Sequence, residues 1–129
     1  MTIESAKLIE GFTYEINTGN FQLRTDVAKE LGGQGSAPSP HDYLEVALAS
    51  CTAITLQMYA KRKSWPLENV DVKVQIVSEG AENKIARTIK LAGPLSAEQK
   101  QMLTTIAEKC PIHRFLSKGA VITTNMIEA

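Results

Sequence analysis

Strict alternation of apolar and polar positions marks the first quarter of the chain. Phe12, Tyr14 and Ile16 fall on one face of an extended segment, and after Asn17-Thr18-Gly19-Asn20 the same period resumes with Phe21, Leu23 and Thr25. A period of two with a glycine-containing turn between the runs predicts a β-hairpin. From Ala28 to Pro40 the chain reads AKELGGQGSAPSP. Three glycines and two prolines exclude regular structure there. This loop is longer than the common connection, which suggests that it covers or lines something.

The period then changes to that of a helix. Ser39 can cap its start, Pro40 suits the first helical position, and Asp42 stands where the acidic member of a capping box belongs. Leu44, Ala47, Leu48, Cys51, Ile54, Thr55 and Met58 recur at helical spacing, so one apolar face containing Cys51 is expected to point inward. Lys61-Arg62-Lys63 complement the negative end of the helix dipole, and Pro66 prevents continuation.

Alternation returns with Val70, Val72, Val74 and Ile76, and after a Glu-Gly-Ala-Glu-Asn turn with Ile85, Ile89 and Leu91, predicting a second antiparallel hairpin with one wet face. Ser96 and Gln99 repeat the capping pattern, followed by the stripe Met102, Leu103, Ile106, Ala107 and Cys110. Pro111 disfavours helical geometry at Cys110, so a short helix should begin there with Cys110 as its cap. Ala120 to Ile127 is expected to form a last strand. The order ββ-α-ββ-αα-β lacks βαβ alternation and indicates the α+β class.

At 129 residues the chain is expected to be a single domain, residues 1–129. Fourteen basic and fourteen acidic side chains cancel, which removes the net field that nucleic acid or an anionic membrane surface would require. Apolar residues at 43% and seven aromatics describe a mostly aliphatic core. Two cysteines are too few for a disulfide framework, and MTIESAKLIE lacks the architecture of a secretory signal, so a cytoplasmic protein is expected. The weakly polar run from Val46 to Leu56 is about half of a bilayer span.

Candidate chemistry centres on Cys51 and Cys110, 59 positions apart yet each on the inward stripe of its own helix. Unpaired cysteine commonly packs as a small hydrophobe. The pairing argues for more, because a thiol oxidised to sulfenic acid is protected when a second thiol condenses with it. A reactive thiol needs its thiolate. Cys51 lies mid-helix and gains little from the dipole, whereas Cys110 can use the free N–H groups of the helix that follows. Cys51 therefore needs a cation more, and Arg24 is the candidate. Asp42 can cap the helix, position an arginine, or do both. A zinc set from both cysteines with His41 and His113 is disfavoured by spacing, and a Cys110–His113 hydrolase pair is weaker still, so no metal or cofactor is expected.

Ser39-Pro40-His41-Asp42-Tyr43-Leu44, then Ala49-Ser50-Cys51-Thr52-Ala53, then Cys110-Pro111-Ile112-His113-Arg114 resemble the family of osmotically inducible protein C and organic hydroperoxide resistance proteins. That resemblance implies an intertwined homodimer with antiparallel sheets wrapped around central helices. It also implies a thiol peroxidase in oxidative stress defence. In it Cys51 would attack an organic hydroperoxide and Cys110 would resolve the sulfenic acid to a disulfide. A dithiol, such as the lipoyl group of a protein, would restore both. The family arginine maps onto Arg24. The glutamate ten residues before the reactive cysteine in one branch is His41 here, with Asp42 at nine, and His113 replaces a common serine. The rival is a non-catalytic OsmC-like protein that binds a small apolar ligand or a partner in the dimer cleft.

Overall fold

In the computed structural model, residues 3 and 5–128 are described. Internal contacts divide the chain into two units, Met1–Val46 and Ala47–Ala129. Both combine antiparallel strands with helical segments, as the α+β class requires.

The first unit holds a three-stranded antiparallel sheet of β1 (Ser5–Glu10), β2 (Thr13–Thr18) and β3 (Phe21–Thr25), with β2 in the centre. The predicted hairpin is β2–β3. Tyr14 lies opposite Thr25, Ile16 opposite Leu23 and Thr18 opposite Phe21. Gly19 in the two-residue turn takes a φ of +55°, a conformation glycine adopts without a Cβ penalty. The pattern does not reveal β1, because adjacent Leu8 and Ile9 break the alternation and the pairing slips between Leu8 and Glu10.

The Ala28–Pro40 loop is held by one buried carboxylate. Asp26, 1% exposed, accepts from the Ser36 hydroxyl at 2.7 Å and from the backbone N–H groups of Val27 (2.8 Å), Ser36 (3.1 Å) and Gln34 (3.3 Å). The Ser36 hydroxyl, followed by the Val27 and Ser36 amides and Thr13, outweighs burial and holds this carboxyl well below the usual range. The chain turns through a short 3-10 segment, Lys29–Leu31, and Thr25 Oγ1 donates to Pro38 O at 2.8 Å.

Helix α1 (Pro40–Lys63) starts as its first residues dictate. Ser39 Oγ accepts from Asp42 N at 3.1 Å, and Asp42 Oδ2 accepts from Ser39 N at 2.9 Å, a reciprocal capping box. The inward stripe differs from the expected one. Leu48, Thr52, Leu56 and Ala60 are the buried residues, with Cys51 and Thr55 half-buried at the edge. Leu44, Ile54 and Met58 are exposed. Apolar positions occupy more than one face of this helix, so periodicity could not decide which of them the chain's own strands and helices cover.

The second unit contains the antiparallel hairpin β4 (Asn69–Ser78) and β5 (Lys84–Ala92), then α2 (Ala97–Ala107) and α3 (Pro111–Lys118). Val70, Val72, Val74 and Ile76 are half-buried while Asp71, Lys73 and Gln75 are exposed, the predicted one-sided hairpin. Its core is Leu56, Ala60, Leu67, Leu103 and Ala107, flanked by Tyr59, Trp65, Val70, Ile89, Leu91, Leu95 and Ile106. Leu56 and Leu103 are fully buried, each contributing roughly 1.5–3 kcal/mol of transfer free energy. The Ser96–Gln99 capping box opens α2, and Cys110 precedes Pro111 at the first position of α3.

The expected strand from Ala120 to Ile127 does not form. These residues have no regular structure, and Val121, Ile122, Met126 and Ile127 are 84–98% exposed. A β pattern becomes a strand only beside an edge that accepts its hydrogen bonds, and among the described residues none is paired with this segment. No described helix is long and apolar enough to cross a membrane.

Candidate functional site

The second unit brings its two cysteines together. Cys51 sits on α1 one residue before the buried Thr52, and Cys110 stands at the head of α3, close enough for the two thiols to interact. The thiols share a hydrogen bond and no disulfide is formed. Cys51 is half-buried, whereas Cys110 is fully enclosed.

Their environments are unequal. Burial pushes the Cys51 thiol up, and the hydrogen bond with Cys110 adds to this, since Cys51 is the partner that keeps its proton. The Ile112 amide and Thr55, whose Oγ1 lies 3.8 Å from Sγ, only partly offset it. Burial also raises Cys110, but donors more than cancel it: the Cys51 thiol, the amides of His113 and Ile112, and the Thr52 side chain. Cys110 therefore lies below the ordinary thiol value and is the preferred seat of the pair's first negative charge. The amides belong to the first turn of α3, where N–H groups have no partner within the helix.

The buried Thr52, next to Cys51 in the chain, is met by a basic residue from β5. Arg87 stands on the inward face of β5 with Ile85, Ile89 and Leu91, directly opposite Val74. Its Nη1 donates to Thr52 Oγ1 at 3.1 Å, and that hydroxyl lies 2.7 Å from Leu48 O. A cavity of about 350 Å³ borders this arrangement, lined among others by Leu48, Arg87, Glu108, His113 and Leu116. His113 Nε2 and Glu108 Oε2 are 3.1 Å apart. A cationic residue recurring at period two among apolar ones was the signal available for Arg87.

The other two expected residues belong to the first unit. Arg24 is exposed on β3, and its backbone carbonyl accepts from the Tyr43 hydroxyl at 2.6 Å. Asp42 is exposed and engaged in the helix cap. Among the described residues no group of three or more His, Cys, Asp or Glu could hold a metal ion.

A sequence profile of the OsmC-like protein family matches residues 33–125. No curated protein sequence matches significantly. Among solved structures, an OsmC-like protein from Mycoplasma pneumoniae is similar, with a TM-score of 0.74 at 20% identity over 91% of this chain and 88% of that one. An organic hydroperoxide resistance protein OsmC from Legionella pneumophila gives 0.63 at 24% identity over 88% of each chain. An organic hydroperoxide resistance protein from Elizabethkingia anophelis gives 0.65 at 20% identity over 88% of this chain and 86% of that one. At these identities the likeness is one of fold.

Proposed function

On the premise that the chain belongs to the OsmC-like protein family, we propose that it is a thiol-dependent peroxidase of organic hydroperoxides. The observation that carries this reading is the hydrogen-bonded approach of two free sulfurs that are remote in sequence. Cys51, the more accessible sulfur, attacks the outer peroxide oxygen as the thiolate. The O–O bond breaks, the alkoxide leaves and takes a proton to become the alcohol, and Cys51 becomes a sulfenic acid. The Cys110 thiolate attacks that sulfur, the disulfide forms, and the hydroxide released is protonated to water. A dithiol, such as a lipoyl group, exchanges with the disulfide, returns two thiols and leaves as its own cyclic disulfide.

Because the resting charge favours Cys110, Cys51 needs a cation when peroxide arrives, and Arg24 is assigned that role, with Asp42 as the carboxylate that orients it. The neighbours named as organic hydroperoxide resistance proteins support the substrate class. The exposed apolar side chains of Ile54 and Met58 on α1 and of Val121, Ile122, Met126 and Ile127 in the tail support a homodimer as the working form. A cytoplasmic location supplies the reducing surroundings that keep both thiols free between turnovers.

One equivalent of an alkyl hydroperoxide should abolish both thiols together and yield one equivalent of alcohol, with no cross-linked dimer on a nonreducing gel. Cys110→Ser should stall at the sulfenic acid, and Cys51→Ser should leave the peroxide intact. Oxidation of Cys51 no faster than that of a free thiol at the same pH would refute the peroxidase and favour a binding protein.

A further inference from the structure

We infer that the groove at the head of α3 is the docking surface for the protein that returns electrons to the sulfur pair, and that this partner meets it with an acidic segment flanking its dithiol. The inference rests on the disulfide exchange proposed above and adds the place and the chemistry of the encounter.

The groove is open, measures about 360 Å³ and is lined by Lys109, Pro111, Arg114, Phe115, Lys118 and Gly119. Three of these side chains are cationic and none is acidic. All three are exposed, and among the described residues none of them is ion-paired. Because the whole chain has no net charge, this is a local concentration of one sign. Lys109 follows the end of α2 and Lys118 ends α3, so each complements the negative end of a helix dipole. Arg114 does not. It is the fourth residue of α3 and stands one turn before Lys118, a like-charge pair that weakens the helix. Phe115 lies among these cations and is 60% exposed, an aromatic surface left largely uncovered.

An acidic protein segment fits this surface better than other occupants do. A two-fold contact of the patch with its own copy would set cation against cation. Recognition of an anionic membrane by charge ordinarily takes about four to eight basic residues, and three fall short. Redox partners, by contrast, meet through small transient interfaces in which complementary rim charges speed the encounter. The place fits as well. Lys109 and Pro111 are the chain neighbours of Cys110, so a partner seated here stands within one residue of a reacting sulfur along the chain. In the exchange the dithiol loses two electrons and two protons and closes into its own disulfide, while the bond between Cys51 and Cys110 breaks and both become thiols.

The test uses the full chain oxidised with diamide to the Cys51–Cys110 disulfide, and two synthetic peptides that carry the same dihydrolipoyl-lysine, one flanked by glutamates and one by glutamines. The return of two protein thiols is followed for each. The acidic peptide should react about tenfold faster at about 10 mM salt, and the advantage should fade by about 150 mM, as the Debye length shrinks from about 30 Å to about 8 Å. Joint replacement Lys109→Glu, Arg114→Glu and Lys118→Glu should reverse the preference. Equal rates for the two peptides on the unmodified chain, a preference that salt leaves unchanged, or one that survives in the triple variant would overturn the proposal. So would binding to phosphatidylserine vesicles that the triple variant loses, with no preference between the peptides. If the triple variant does not fold, Arg114→Gln alone should narrow the gap, and an unchanged gap refutes the patch. Failure of diamide to form the bond would overturn the docking surface together with the peroxidase. A bond formed by diamide but not by a hydroperoxide removes the peroxidase alone, and the peptide comparison still decides the docking surface.

Discussion

Removing either sulfur should shift the other, in opposite directions. In the intact pair Cys110 is buried yet sits below the ordinary thiol value because four donors face it: the Cys51 thiol, two amides of α3 and the Thr52 hydroxyl. Cys51→Ala deletes the first. A hydrogen bond to a charged acceptor contributes about 1.5–3 kcal/mol, and a thiol is a weak donor, so the lower end applies. At 1.4 kcal/mol per power of ten, the Cys110 thiolate fraction at fixed pH should fall about tenfold. Cys110→Ala acts the other way. It removes the acceptor that keeps the proton on Cys51 and the negative charge that opposes a second one, leaving burial as the chief remaining cause of elevation. Thiolate absorbance followed against pH in the two single variants reads both shifts directly. Shifts of the same sign, or a Cys110 profile indifferent to Cys51, would show that the sulfurs titrate as separate groups.

Two further outcomes concern the first unit. Asp26 titrates lower when folded than the ordinary carboxyl at 3.8, so its contribution is complete above that value and disappears as pH falls through the folded one. Urea melts at descending pH should show a steeper acid loss for the unmodified chain than for Asp26→Asn, and parallel curves would contradict the assignment. A Cβ on Gly33 would lie 2.1 Å from Val27 O, a backbone atom that cannot swing aside. Gly33→Ala should therefore destabilise the unit by about 1–3 kcal/mol, read as a lower urea midpoint at unchanged slope, and an unshifted midpoint would mean that the loop is not seated as described.

What could be read from the chain and what could not divide along the range of the interactions. The start of α1 is written in four consecutive residues, Ser39 to Asp42, and the capping box forms as their chemistry dictates. The β4–β5 hairpin follows from alternation with the same reliability. The buried stripe of α1 was harder. Leu44, Ile54 and Met58 satisfy a helical period as well as Leu48 and Leu56 do, and only the tertiary arrangement separates them. The tail fails for a related reason: Val121 and Ile122 have strand propensity, but propensity cannot supply an edge. Within the site, two cysteines on helical stripes could be suspected of meeting, and the advantage of Cys110 followed from the helix that Pro111 starts, whereas the contribution of the Thr52 side chain needed the tertiary fold. Arg87 is visible as a break in an apolar alternation, but its partner, the buried Thr52, is set by the tertiary fold.

The position of Cys110 at the head of α3 links chemistry to mechanics. The amides of Ile112 and His113 that steady an anionic sulfur lose their charged acceptor once that sulfur is tied into a disulfide, since bonded sulfur attracts N–H groups only weakly. A disulfide there would slacken the grip on the first turn of a helix only eight residues long, and its reduction would tighten it again.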